Sequence, residues 1–359
     1  MAATIYVASI ERHSGKTALS IGLLHWFRKK GLEAGYMKPV SSTPHSEAGQ
    51  LIDEDAVFVK SIFALSEPVE AMAPVFLTHD EVRSIVDGAD TGFFERRIVE
   101  SYREVSRGKD VMVLEGGSSL SERRLVDLDA GRVSELLGAR AVVVVPRIET
   151  LEIVDEVLAA RTSMGERMAG AVINNVLPHR MTYAGEKIKP FLEARGVRVF
   201  ATLPRERMLL SVSVRELLEG LGGEAVCCEE SLDELVENLV VGAMSVESAL
   251  TYFRRASQKA VITGGDRVDV QLAALETSTR CLILTGNLRP DQLIIGLAAE
   301  RNVPIILTAY DTLKAIQVIE NFFGKTRFHQ QKKVDYFEGM LDKWMDFDAL
   351  CAAIGVTIR

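Results

Sequence analysis

Gly15-Lys16-Thr17 is the tripeptide whose residue types and setting are best suited to bind phosphate. It follows a short apolar run, Thr4-Ile5-Tyr6-Val7-Ala8, and the loop Glu11-Arg12-His13-Ser14. After it, Leu19, Leu23, Trp26 and Phe27 recur at helical spacing as far as Gly31. A strand, a tight loop and a helix start in that order make a phosphate-binding loop. Backbone N–H groups and the positive end of the helix then favour an anion. Lys16 would reach the β/γ phosphates as a point charge, and Thr17 would offer its hydroxyl to Mg²⁺. Ser14, Gly15 and Ala18 complete the candidate nucleotide-binding turn. The pattern departs from the usual one at Ile10, where a glycine is expected. A second copy of the letters, Gly324-Lys325-Thr326, follows the helical segment ending Asn321-Phe322-Phe323. It reads as a helix C-terminal glycine with a solvated lysine.

Other chemistry-bearing residues fall at the ends of predicted elements. Lys38 closes a short strand beginning at Leu32, beside Pro39, Ser41 and Ser42. The carboxyl end of a parallel strand is where such sheets bind ligands. Gln50 to Ala64 reads as a helix with Asp53, Glu54 and Asp55 in its first turn, which the helix dipole favours. One of these acids could also reach a metal. Val111-Met112-Val113-Leu114 delivers Glu115 ahead of Gly116-Gly117, a position suited to a magnesium ligand beside a phosphate loop. Asn174 closes the strand beginning at Gly170, and its amide both donates and accepts, as adenine recognition requires. Pro204 follows the strand Val197–Leu203.

These residues need a scaffold, and the pattern supplies one. Helical segments over Thr78–Val86, Phe93–Val105, Ile148–Thr162 and 183–195 alternate with strands that are apolar throughout. That alternation predicts an α/β fold, a parallel sheet with helices on both faces. Residues 215–240 are acidic and carry Gly220, Gly222 and Gly223, which reads as a junction. A second, smaller parallel α/β unit follows, with strands at Ala260–Thr263, Cys281–Leu284 and Pro304–Leu307 and helices between them. Its strands end in turns at Thr263, Thr285 and Thr308, which a parallel sheet gathers on one edge. Asp266, Arg267, Asn287 and Asp311 would line a small-molecule effector or protein-partner site there. Alternatively, Asp266 and Asp311 are helix caps and the glycines satisfy turns. Near the C-terminus, Tyr336, Phe337, Leu341, Trp344 and Met345 form a helical stripe that packs on the core or on another subunit.

The composition narrows the classes. With 42 Lys and Arg against 50 Asp and Glu, the 359-residue chain carries a net charge of −8, which argues against nucleic acid. No apolar run approaches the roughly 20 residues that span a bilayer. The chain opens almost at once on a core strand, so no signal peptide is expected. None of the four cysteines has zinc-ligand spacing. A reduced, cytoplasmic protein without membrane or nucleic-acid partners is expected.

Taken together, Gly15-Lys16-Thr17, Tyr36-Met37-Lys38-Pro39-Val40-Ser41-Ser42, Asp55-Ala56, Glu115-Gly116-Gly117, Gly170-Ala171-Val172-Ile173-Asn174 and Leu203-Pro204 resemble dethiobiotin synthetase, over roughly residues 1–215. The resemblance implies that Lys16 and Lys38 are the catalytic candidates, contacting transferred or attacking phosphate. It implies that Thr17, Asp55 and Glu115 hold Mg²⁺, that Asn174 faces the base, and that Ser42 helps hold a small substrate. The loop Glu11–Ser14 and Ser118-Ser119 depart from that family, the latter on the substrate side. Ile262-Thr263-Gly264-Gly265-Asp266-Arg267 looks like the turn of a DRTGG-type domain, similar to the amino-terminal domain of HPr kinase.

The two domains in this order resemble the amino-terminal half of long bacterial phosphotransacetylases, to about Phe347. This implies three segments: a nucleotide-binding domain over 1–215, a DRTGG-type domain over 216–330 and a helical extension over 331–359. The expected ligands are ATP and Mg²⁺, the expected assembly a homo-oligomer, and the expected role a nucleotide-dependent sensor or regulator. With Arg359 last, no acetyl-transferring domain follows, so phosphotransacetylase activity is not expected. Slow ATP hydrolysis stays open. The alternative is an ATP-dependent ligase or synthetase, in which a small carboxylate or carbamate near Lys38 attacks the γ-phosphate to give an acyl phosphate.

Overall fold

The computed structural model describes residues 2–41, 45–47, 50–146, 151–320 and 328–358. The chain divides into two units, Met1–Arg205 with Phe328–Arg359, and Glu206–Arg327. No described helix is long and apolar enough to cross a membrane.

The first unit is built on a six-stranded sheet, parallel throughout. From edge to edge the order is Val199–Pro204, Met168–Val176, Arg140–Pro146, Ala3–Ser9, Val111–Glu115 and Ala34–Met37. The central strands are apolar without alternation because helices cover both faces. Val142, Val143, Val144 and Val145 are all fully buried. Each such side chain contributes about 1.5–3 kcal/mol. Parallel pairing aligns the carboxyl ends: Val7 lies opposite Glu115, and Met37 opposite Leu114. Chain order reverses around the first strand, so the crevice at that edge lies between the loops after Ser9 and Glu115.

Some boundaries differ from the sequence expectation. Gln50–Ile52 is a strand paired with His45–Glu47, and the helix begins at Glu54. Asp53 is its N-cap, accepting from the Ala56 amide at 3.0 Å. The helical segment near 183–195 contains a π-helical turn over Ala184–Ile188, just before Pro190. Pro190 has no N–H to give to a regular ladder, and a widened turn accommodates it.

The C-terminal segment belongs to this first unit. Helix Gln331–Trp344 lies along the helix Lys16–Lys29 and the strand Val199–Pro204. Gly22 allows the approach: a Cβ there would stand 2.5 Å from Leu341 and 3.0 Å from Phe337. The predicted stripe therefore faces this unit at Phe337, Leu341 and Met345, all buried, while Tyr336 and Trp344 stay partly exposed. Helix Phe347–Ile354 continues the cover.

In the second unit a five-stranded sheet runs Glu224–Cys227, Ile305–Leu307, Thr279–Thr285, Lys259–Gly264 and Asn238–Val241. All pairs are parallel except the edge pair of Glu224–Cys227 with Ile305–Leu307. Alternate residues feed two apolar clusters, Val261, Leu282 and Ile305 on one face, Ile262, Ile283 and Ile306 on the other. The acidic stretch read as a junction is structured. It holds nearly all of helix Val214–Gly220, strand Glu224–Cys227, most of strand Asn238–Val241, and Leu235–Val236, which pairs antiparallel with Val212–Ser213 just ahead of it. Its exposed acids mark the outer surface of these elements, so charge alone did not make it a linker.

Candidate nucleotide and metal site

The loop after Ser9 enters helix Lys16–Lys29 through Gly15, whose φ of +94° is left-handed. Only glycine takes that conformation at little cost. A Cβ at Gly15 would also lie 2.3 Å from Asn174 Nδ2. Asn174 Nδ2 instead donates to the Ser14 carbonyl at 2.9 Å. Asn174 thus holds the loop from two strands away in the sheet, and lies two residues before its strand's end at Val176. Ser14 is buried, and its hydroxyl has no partner in the structure. Ala18 sits buried in the first helical turn, and Pro204 ends the edge strand opposite Val176.

Lys16 Nζ turns back to Ser9 Oγ at 2.8 Å. Burial holds its pKa below the ordinary lysine value, with the charge of Glu115 acting the other way. Thr17 Oγ1 donates to Glu115 Oε1 at 2.6 Å, and the Tyr36 hydroxyl donates to Glu115 Oε2 at 3.0 Å. Burial, reinforced by the charge of Asp55, pushes the Glu115 carboxyl up to about 7. Lys38, 8% exposed, lies 2.9 Å from Asp53 Oδ2 and 2.5 Å from Asp55 Oδ2. Burial disfavours its charge, but Asp55, Glu115 and Asp53 outweigh that and hold its pKa well above the ordinary value. Burial would raise Asp55, yet a hydrogen bond with His329 and the charge of Lys38 hold it well below the carboxylate range.

The structure therefore gathers Lys16, Thr17, Lys38, Asp55 and Glu115 into one interlocked group at the carboxyl edge. It also adds residues that sequence reasoning did not assign. Asp53 bridges Lys38 and Ser41 Oγ, the latter at 2.6 Å, while capping its helix. Its place at a helix start was the available signal, read as dipole chemistry or as one of three acids that could reach a metal, not as a partner of Lys38. His329 Nε2 lies 2.9 Å from Asp55 Oδ1, 274 residues away in sequence, and carries no motif. Arg123, 9% exposed with a left-handed φ of +75°, folds under Gly117 with Glu122. Ser42 and the second Gly-Lys-Thr, Gly324 to Thr326, lie outside the described residues.

This donor set fits a magnesium-bound polyphosphate. The loop offers backbone N–H groups at a helix N-terminus, a buried hydroxyl on Ser14 awaiting a partner, and two lysines. Thr17, Asp55 and Glu115 are hard oxygen donors of the kind Mg²⁺ takes, with phosphate oxygens and water completing its octahedron. Among the described residues no three His, Cys, Asp or Glu side chains already form a metal cage. Such a cage is not required, since Mg²⁺ in phosphoryl sites takes one or two carboxylates.

The second unit's edge is built differently. Thr263 Oγ1 donates to the Gly242 carbonyl at 3.0 Å, Thr285 Oγ1 to the Thr263 carbonyl at 3.3 Å, and Thr308 Oγ1 to the Leu221 carbonyl at 3.1 Å. Gln271 Nε2 donates to the Gly264 and Gly265 carbonyls, both at 3.0 Å. Asp311 caps helix Thr312–Glu320 through the Lys314 amide at 2.8 Å. Arg267 pairs with Asp269 and donates to the Met244 carbonyl. Asn287 is exposed at φ +55°, its amide bonded to the Thr308 carbonyl. Asp266 is exposed beside Gly264.

A family model described as an AAA domain matches residues 3–212, and one described as a DRTGG domain matches residues 216–322. Similar proteins include a phosphate acetyltransferase of Synechocystis sp., 26% identical over 330 residues, covering 87% of this chain and 46% of the relative. Another is a phosphate acetyltransferase of Nitratidesulfovibrio vulgaris, 21% identical over 381 residues, covering 98% of this chain and 51% of the relative. The chain thus spans about half the length of the curated relatives it matches, their amino-terminal half. Among solved structures, the CBS and DRTGG domains of the regulatory region of Clostridium perfringens pyrophosphatase, complexed with diadenosine tetraphosphate, align at 22% identity and a TM-score of 0.29. That alignment covers 45% of this chain and 78% of the other.

Proposed function

The chain belongs to the AAA-domain family in its dethiobiotin synthetase-like P-loop form, joined to a DRTGG domain, and on that premise we propose that it is a Mg-ATP-binding sensor or regulator. The observation that carries this reading is the group at the carboxyl edge, where Lys38 pairs with Asp55, Thr17 donates to Glu115, and Lys16 lies within the field of Glu115. A triphosphate would take Lys16 from Ser9 and meet Lys38. Mg²⁺ would take the oxygens of Thr17, Asp55 and Glu115. Ser14, Gly15 and Ala18 would frame the phosphates, with Asn174 and Pro204 on the base side. In the DRTGG unit, Asp266, Arg267, Asn287 and Asp311 would meet an effector or partner. The half-length match to phosphate acetyltransferases supports a role alongside such chemistry, and a homo-oligomer and a cytoplasmic location accompany the proposal.

The second reading is the ligase. It draws on a cavity of about 240 Å³ that opens at Ile10 of the phosphate loop and is lined by Leu120, Arg124, Asp129, Glu156 and Met164, among others, with room for a small acid although neither Lys16 nor Lys38 lines it. Calorimetry with ATP, ADP and GTP, each with and without Mg²⁺, tests the shared premise. Magnesium-dependent triphosphate binding, weakened at least 100-fold by Lys16→Ala and unchanged by Lys325→Ala, is expected. Absence of binding, or equal losses at the two lysines, would refute it. Slow ADP release independent of any added acid supports the sensor; release only with one small carboxylate supports the ligase.

A further inference from the structure

His329 comes from a part of the chain that no motif assigns, yet it touches the centre of the site. Its Nε2 lies 2.9 Å from Asp55 Oδ1, while Lys38 holds Asp55 Oδ2 at 2.5 Å. Both oxygens of the carboxylate offered to Mg²⁺ are therefore engaged. The imidazole is itself fixed, with its ring 4.7 Å from that of Phe58. The preceding Phe328 is buried edge-on against Phe337 at 5.7 Å. Helix Gln331–Trp344 starts two residues later and is pinned to the helix that Lys16 and Thr17 open. Lys29 pairs with Glu338 at 2.6 Å and with Asp342 at 3.3 Å, and Trp26 stacks flat on Phe347 at 3.8 Å. The 328–347 segment thus grips the site at two points, the Asp55 carboxylate and the phosphate-loop helix.

We propose that His329 is a positioning residue of the phosphate–metal site, and that through it the 328–347 segment responds to whether magnesium nucleotide is bound. This rests on the Mg-ATP reading above. A Mg²⁺ ion demands near-ideal octahedral geometry and short bonds. On ligating Asp55 it would compete with Lys38 and His329, which already hold both carboxylate oxygens, and weaken the arrangement they fix. The hydrogen bond to His329 then lengthens or is replaced, and the segment loses one of its two anchors. Only a ligand that interacts differently with the two arrangements can shift them; Mg²⁺ would do so at Asp55 itself, whereas the nucleotide without metal would reach Asp55 only through Lys38.

Hydrogen exchange of the full chain tests this, read at the amides of residues 330–347 with no ligand, with ATP in EDTA, and with Mg-ATP. Calorimetry is run on the same samples. Mg-ATP is expected to change exchange there at least threefold, and metal-free ATP to change it less. His329→Ala should raise exchange at 330–336 without any nucleotide and abolish the Mg-ATP response. His329→Gln, which keeps an N–H donor, should restore it. Calorimetric binding of Mg-ATP with no change at 330–347 would overturn the coupling and leave the ATP reading intact. Absence of binding would overturn both. A His329→Ala protein indistinguishable from the unsubstituted chain in ligand-free exchange would remove His329 from the role, whatever the nucleotide does.

Discussion

Each unit of this chain ends a parallel sheet in glycine-containing turns, yet the two edges store opposite chemistry. The first buries charge and pairs it: Lys38 with Asp53 and Asp55, Glu115 with the Thr17 and Tyr36 hydroxyls. The second buries hydroxyls and an amide that donate to backbone carbonyls, as with Thr263, Thr308 and Gln271. A backbone carbonyl tied by a side chain stiffens a turn. A carboxylate and an ammonium held together can be parted by a ligand that replaces each of them. Two buried lysines sharpen the contrast. Lys38 sits among acids, whereas Lys259, fully buried at the start of its strand, finds no hydrogen-bond partner for its ammonium among the described residues. Burial pushes Lys259 down to about 8.

The largest effect is expected from separating the paired charges. Lys38→Ala leaves buried Asp53 without its cation and half-buried Asp55 with His329 alone, and breaking a buried pair typically costs about 3–5 kcal/mol. Chemical denaturation of the ligand-free chain should show that loss in the first unit. A loss under about 1 kcal/mol would mean that water already screens the group. Next comes the second edge, where no charge is at stake. A Cβ on Gly265 would stand 1.9 Å from the Leu288 carbonyl oxygen. Gly265→Ala should therefore cost about 2–4 kcal/mol through backbone displacement, seen as a lowered Tm for that unit. An unchanged Tm would show that the turn is looser than its contacts.

Much of this was legible in the sequence, for physical reasons. Continuous apolar runs such as Val142–Val145 fit strands covered on both faces, and the residue closing each run falls at the ligand edge, which located Lys38 and Glu115, while the Gly15-Lys16-Thr17 turn located Lys16 and Thr17. The helix start pointed to Asp53, Glu54 and Asp55 alike, and only the resemblance singled out Asp55; the helix itself begins four residues later than expected. Arg123 and His329 were not legible. Their positions depend on a left-handed turn and a chain return from far away, neither of which leaves a period or a spacing. Likewise, the acidic composition of 215–240 concealed short strands whose buried faces are too brief to produce a pattern.

A smaller effect, of opposite sign, is expected at Lys259. Its folded pKa of about 8 lies below the ordinary lysine value. Between pH 8 and 10.5 the unfolded chain therefore binds more protons, and stability rises with pH there. Below pH 8 the folded state carries the full cost of a buried, unpaired cation. Lys259→Met removes that cost and should raise stability by about 1–3 kcal/mol at pH 7. The gain should shrink at pH 10, where the unsubstituted lysine is largely neutral in the fold. Denaturation at both pH values checks the sign; a gain that is the same at both would assign the effect to packing, not charge.

The smallest expected effect separates the edges most cleanly. Arg267 pairs with its near neighbour Asp269 on the surface, and Asn287 is exposed. Such exposed pairs are worth about 0–1 kcal/mol, so Arg267→Ala with Asn287→Ala should leave stability within roughly 1 kcal/mol. ATP binding in the first unit should be untouched as well. Any defect must therefore appear in an effector response or in assembly, measured by light scattering and by thermal shift against a panel of small anions and nucleotides. If the double variant behaves as the unsubstituted chain in every one of these, Asp311 and Gln271 keep only their observed roles, capping a helix and tying a turn. The second edge would then be a structural mount, and ligand chemistry would belong to the first edge alone.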